Sequence, residues 1–111
     1  MKRTFVQTAI FSKRLDERGR PGLLEAIEQE ILSNPVAGDV IPGTGGVRKL
    51  RASDPLRGKG KRGGQRVLFL DLPDRERTFL IYLYGKEESE DINRDQKDQI
   101  LALVSAIKRG R

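Results

Sequence analysis

The chain has neither cysteine nor histidine among its 111 residues. The first absence excludes disulfides, thiolate nucleophiles and cysteine-ligated zinc. The second removes the usual general base near neutral pH and the commonest metal ligand. No apolar run approaches the length needed to span a bilayer. Met1 to Phe11 looks faintly like a signal start, but its apolar part is short and Lys13 and Arg14 interrupt it. These absences point to a soluble, cytoplasmic protein with no membrane partner.

What is abundant is positive charge: 22 Lys and Arg stand against 16 Asp and Glu, a net charge of +6. A small basic domain is drawn to polyanions by counterion release. Nucleic acid is the first expectation, ahead of an anionic membrane or an acidic protein. The length fits one domain, 1–111, able to bury one modest core of about 60–70% of the unfolded surface. Only residues 53–64 have almost nothing apolar to bury, so a flexible basic loop is expected there.

The periodicity predicts an α+β chain. Thr4 to Phe11 begins as a short strand, and a short helix follows near Ser12 to Arg18, ended by Gly19. Leu23, Ile27 and Ile31 recur at helical spacing, and Asn34-Pro35 stops that helix. The two helices form a hairpin through Gly19 to Gly22. Val36 to Gly46 reads as loop. Strands are expected at Val47 to Arg51, Arg66 to Leu72 and Thr78 to Tyr84, with Pro73 to Glu76 as a hairpin turn. The last two are apolar nearly throughout, which suggests central strands covered on both faces. Asn93 and Gln96 have capping-box spacing, and Ile100, Leu103, Val104 and Ile107 then follow a helical stripe. The expected architecture is a small antiparallel sheet with helices packed on one face.

The cations are concentrated between Gly43 and Arg66. On a strand, Lys49 and Arg51 share a face and Arg48 takes the other. Arg66 opens the next strand and can lie beside that pair across the ladder. Three cations fixed on one sheet face make a pocket for a phosphodiester. Lys59, Lys61 and Arg62 sit among glycines and suit a phosphate-grabbing loop that steers binding without doing chemistry; Arg57 and Arg48 join them as RNA contacts. Tyr84 ends its strand, where a ring can reach a cleft edge, stack on a base or donate a proton. Tyr82 is expected as a core or rim aromatic. Lys86, just past Gly85, can hold a phosphate oxygen. Glu87, Glu88, Glu90 and Asp91 read as a solvated face or helix lead-in rather than a metal site.

Three stretches, Gly38 to Arg51, Gly58 to Arg66 and Tyr84 to Asp91, resemble the RelE superfamily of bacterial toxins, closest to its HigB-type branch, in the family's order and over nearly the whole chain. The resemblance implies a RelE-like fold: a small antiparallel sheet, an N-terminal helical hairpin on one face and a C-terminal helix. It implies a toxin of a type II toxin–antitoxin system, with a cognate antitoxin, expected to be of helix-turn-helix type, and ribosome-dependent cleavage of mRNA. In the family's reaction the RNA 2′-hydroxyl attacks the adjacent phosphate, leaving a 2′,3′-cyclic phosphate and a 5′-hydroxyl, with no metal or cofactor. Lys49, Arg51, Arg66 and Lys86 match the family's basic catalytic positions, with Tyr84 beside them. Arg66 and Lys49 would stabilise the developing charge, and Arg51 or Lys86 would move a proton. Some relatives carry a further Arg and a Tyr after the last strand, where this chain has Glu87 and Asn93. The general acid and base therefore stay open.

Two other functions fit the same charge. A basic domain could bind RNA or the ribosome and block translation without cutting. An adaptor could act only through a protein partner. A binder would show strong salt dependence, with log–log slope falling by about 0.7 per phosphate contact on a single strand.

Overall fold

A computed structural model describes residues 2–52, 64–86, 88 and 91–110. The elements run β1 (Thr4–Gln7), α1 (Ala9–Arg18), α2 (Leu23–Ser33), β2 (Asp39–Val40), β3 (Arg48–Ala52), β4 (Gln65–Leu72), β5 (Arg77–Gly85) and α3 (Arg94–Arg109). They form an α+β domain around one five-stranded sheet of order β1-β5-β4-β3-β2.

The most apolar strands, β4 and β5, sit at the centre and need cover on both faces. On one face α1 and α2 bury Phe11, Leu23, Ile27 and Ile31 against Leu50, Ala52, Val67, Phe69, Leu80 and Leu83. On the other, Ile92, Ile100 and Val104 from α3 and its lead-in pack with Leu68, Leu70, Ile81 and Tyr84. Each fully buried leucine or isoleucine contributes about 1.5–3 kcal/mol. The expectation of helices on one face is thus corrected: two apolar faces require two covers.

The sheet is mixed, not antiparallel. β1 pairs with β5 in parallel, from Thr4 opposite Arg77 to Gln7 opposite Leu80. Strand direction across so long a separation leaves no local mark in a sequence. β2, inside a stretch expected as loop, adds an edge by pairing Asp39 with Lys49 and Val40 with Arg48. β4 and β5 are antiparallel with a bulge, since Leu68 faces Tyr82 while Phe69 faces Leu80. The extra residue, Ile81, shifts the alternation. Leu80 and Leu83 therefore both meet the hairpin, while Ile81 and Tyr84 meet α3.

β5 outruns β1, and side chains satisfy its bare edge. Thr8 Oγ1 donates to the Ile81 carbonyl at 2.7 Å. The same oxygen accepts the Phe11 amide at 3.1 Å as the cap of α1, so the helix begins at Ala9 rather than Ser12. Further along, Arg14 Nε donates to the Leu83 carbonyl, and the Gly85 amide donates to Glu88 Oε1 at 2.8 Å.

The helix ends follow their sequence signals. Gly19 ends α1 with a left-handed φ of 57°. Asn93 and Gln96 form the expected capping box of α3. At its other end, Arg75 donates to the Ile107 carbonyl at 2.8 Å and the Lys108 carbonyl at 2.7 Å, and Lys108 Nζ donates to the Gly45 carbonyl at 2.7 Å. No helix of the described residues is long and apolar enough to cross a membrane.

Candidate functional site

The site is built on two rows that cross β3, β4 and β5. Arg51 faces Arg66, and Arg66 faces Tyr84. One pleat along, Lys49 faces Leu68, and Leu68 faces Tyr82. Residues paired across a ladder share a face, so Lys49, Arg51 and Arg66 project to the α3 side. Past the end of β5 the chain turns at Lys86 and returns through Asp91 towards α3. Lys49, Arg51, Arg66, Lys86 and Asp91 together line a hollow of about 400 Å³.

The cations differ in exposure. Arg66 is 5% exposed, and its Nη1 donates to the Gly64 carbonyl at 3.1 Å. Arg51 beside it is exposed and Lys49 half-buried. Lys49 Nζ lies 3.9 Å from Asp91 Oδ1, and the Asp91 side chain is 61% exposed. An open pair at that distance contributes at most about 1 kcal/mol. It leaves the hollow's character cationic.

Tyr84, opposite Arg66 on β5, does not line the hollow. It is 2% exposed, and its hydroxyl finds no hydrogen-bond partner among the described residues. Burial pushes its pKa up and the Asp91 carboxylate adds to that, while Arg66 and Arg51 pull the other way without reversing it. The phenol therefore stays protonated near neutral pH. A ring so covered offers no face to a base, which corrects the expected cleft-edge position. The half-buried ring is Tyr82, whose centroid lies 5.8 Å from that of Tyr84. Its face is occupied by the Arg14 guanidinium, 4.9 Å away.

Arg14 belongs to a clamp that ties α1 to the turn after β5. Glu88 accepts from Arg14, Arg18 and the Gly85 amide. Burial alone would raise the Glu88 pKa; the Gly85 N–H and the two guanidiniums outweigh it and hold the carboxyl at about 2. The clamp fixes the turn that carries Lys86.

The structure thus brings Lys49, Arg51, Arg66 and Lys86 together around the hollow, with Tyr84 buried opposite Arg66. It does not bring in Arg48. That side chain takes the opposite face, where Nη1 donates to the Val36 carbonyl at 2.9 Å and the Gly38 carbonyl at 3.2 Å. There it ties the loop before β2 to β3, away from the hollow. Arg57, Lys59, Lys61 and Arg62 lie outside the described residues. Among the described residues, no three His, Cys, Asp or Glu side chains gather as a metal-binding group.

No family model matches the chain.

Sequence reasoning missed Asp91 and Glu88, both absorbed into an acidic run read as solvated. The available signal was position. A run that leaves a cation-lined strand end and returns to a helix must pass beside that strand's cations. Chemically, the hollow suits a bound anion. Two guanidiniums and two ammoniums supply directed donors, and the buried Arg66 acts where water screens least.

Proposed function

We propose that this chain is the toxin of a type II toxin–antitoxin pair, of RelE type and nearest the HigB-type branch: a metal-independent endoribonuclease that cuts mRNA on the ribosome. The observation that carries this reading is the Arg51–Arg66 pair, set directly opposite across β3 and β4 and joined by Lys49 and Lys86 around one open hollow. Like charges opposed on a ladder oppose folding. Their retention around a cavity suits an anionic ligand, and the resemblance of the three motifs makes that ligand RNA.

The residues suit transesterification. As the 2′-oxygen attacks, phosphorus gathers negative charge on its non-bridging oxygens. Arg66 and Lys49 stabilise that charge from fixed strand positions. Arg51 or Lys86 serves the departing 5′-oxygen. The ribosome supplies orientation by holding the message in an attack-ready shape, an effect that can reach about 7–11 kcal/mol. A helix-turn-helix antitoxin is the expected partner that silences the toxin.

Expression of wild type and Arg66→Ala, with mapping of new RNA 5′ ends, tests the reading. Wild type should give discrete cuts inside translated frames, and Arg66→Ala should lower cutting by about 10²–10³ while remaining folded. Growth arrest without new 5′ ends would instead identify a non-cleaving RNA or ribosome binder. Full cutting by folded Arg66→Ala would remove the hollow as the site.

A further inference from the structure

The cleavage reading leaves the 2′-hydroxyl without a base, and the hollow contains a candidate. We propose that Asp91 accepts the proton of the attacking 2′-hydroxyl; the inference rests on the hollow's being an RNA-cleaving site.

The argument is one of chemistry and place. The chain has no histidine and no cysteine. Of the residues lining the hollow, Arg51 and Arg66 keep their protons at any accessible pH. Lys49 and Lys86 end in groups that donate hydrogen bonds and offer no acceptor. The Tyr84 phenol is buried and held protonated by its surroundings. Among the described residues lining the hollow, Asp91 is the one carboxylate, a group that accepts rather than donates. It is 61% exposed, so a bound ribose can reach it. Its Oδ1 accepts the Ile92 amide at 2.9 Å and lies 3.9 Å from Lys49 Nζ, which places the carboxylate beside a group that would neutralise phosphorane charge. Attack and charge stabilisation are thus served from the same side of the hollow.

The step balances. The 2′-oxygen forms its bond to phosphorus as its proton passes to the Asp91 carboxylate. The bond from phosphorus to the 5′-oxygen breaks, and that oxygen takes a proton from the Lys86 ammonium. The products are a 2′,3′-cyclic phosphate and a 5′-hydroxyl. Asp91 then returns its proton to water and Lys86 regains one, with no oxidant, reductant or metal required.

The test is single-turnover cleavage of ribosome-bound mRNA across pH by wild type, Asp91→Asn and Asp91→Glu. Asp91→Asn is nearly isosteric at an exposed position, and thermal melting checks that it folds. It should slow cleavage by about 10²–10⁴ and abolish the rise of rate with pH on the acid limb. Asp91→Glu should keep that limb. A substrate with sulfur in place of the 5′-bridging oxygen needs little protonation on leaving, so it should rescue Lys86→Ala but not Asp91→Asn. If Asp91 merely holds Lys49, Asp91→Asn will cost nothing further in a Lys49→Met background and will leave the acid limb in place. Either result, or wild-type rates in Asp91→Asn, overturns the assignment while leaving the cleavage reading intact. Failure of the wild type to cut at all would overturn both.

Discussion

Arg51 and Arg66 stand directly opposite each other across the β3–β4 ladder. Cross-strand neighbours of like charge destabilise a sheet by about 0.2–1 kcal/mol. Arg51 is exposed and Arg66 buried, so replacing Arg51 disturbs packing less. Arg51→Thr, which keeps a good strand former, should raise stability by up to about 1 kcal/mol in urea denaturation at low salt. The gain should shrink as salt is added. RNA cleavage should fall in the same variant. A loss of stability would show that the pair is not in conflict.

The Glu88 clamp gives a pH dependence of definite sign. Its carboxyl titrates at about 2 in the folded chain against an ordinary value of 4.5. A depressed carboxyl pKa means stability that is complete above the unfolded value and is lost as pH falls through the folded one. Between about 4.5 and 2 the wild type should therefore lose stability faster than Glu88→Gln. Melting temperatures of the two across that window check this. Parallel curves would mean that the clamp does not persist in solution.

Arg3 and Asp71 make a largely buried ion pair away from the hollow. Nε to Oδ1 is 2.7 Å, the side chains are only 9% and 11% exposed, and Thr78 Oγ1 also donates to Asp71 at 2.7 Å. Removing one partner strands the other. Asp71→Ala should cost more stability than Arg3→Met with Asp71→Leu, because it leaves the Arg3 guanidinium without its acceptor. Urea denaturation of the two variants distinguishes them, and equal losses would contradict a desolvated pair.

Thr8 serves two elements with one oxygen, capping α1 and satisfying the Ile81 carbonyl at the bulge. Thr8→Ala should cost about 1–2 kcal/mol, and Thr8→Ser should recover most of it. Hydrogen exchange should show the loosening at both ends of that link. A change confined to α1 would mean that the bulge carbonyl finds water instead.

Much of this was readable where the signal is local. Leu23, Ile27 and Ile31 announce the buried face of α2 by spacing alone. The Asn93–Gln96 box marks the start of α3. Alternation puts Lys49 and Arg51 on one face, and Arg66 at the head of the next strand falls in beside them. What escaped the sequence depends on distant partners. The parallel pairing of β1 with β5, the small strand β2 and the Ile81 bulge are set by tertiary packing. Tyr82 and Tyr84 occupy equivalent places on one strand, and only tertiary packing separates the buried ring from the half-exposed one. Arg48 resembled its neighbours until its carbonyl partners were known. Asp91 was hidden because an acidic residue in an acidic run carries no mark of the pocket it will border.

The pairing of β1 with β5 also bears on biosynthesis. Thr4 emerges early but finds its partner only at Arg77, and the pairing closes at Leu80. Until then the N-terminal strand has no neighbour, and the middle of the sheet does not exist. Lys86 is translated later still. A nascent polypeptide stalled before residue 77 should be open to protease, and it cannot assemble the cationic hollow.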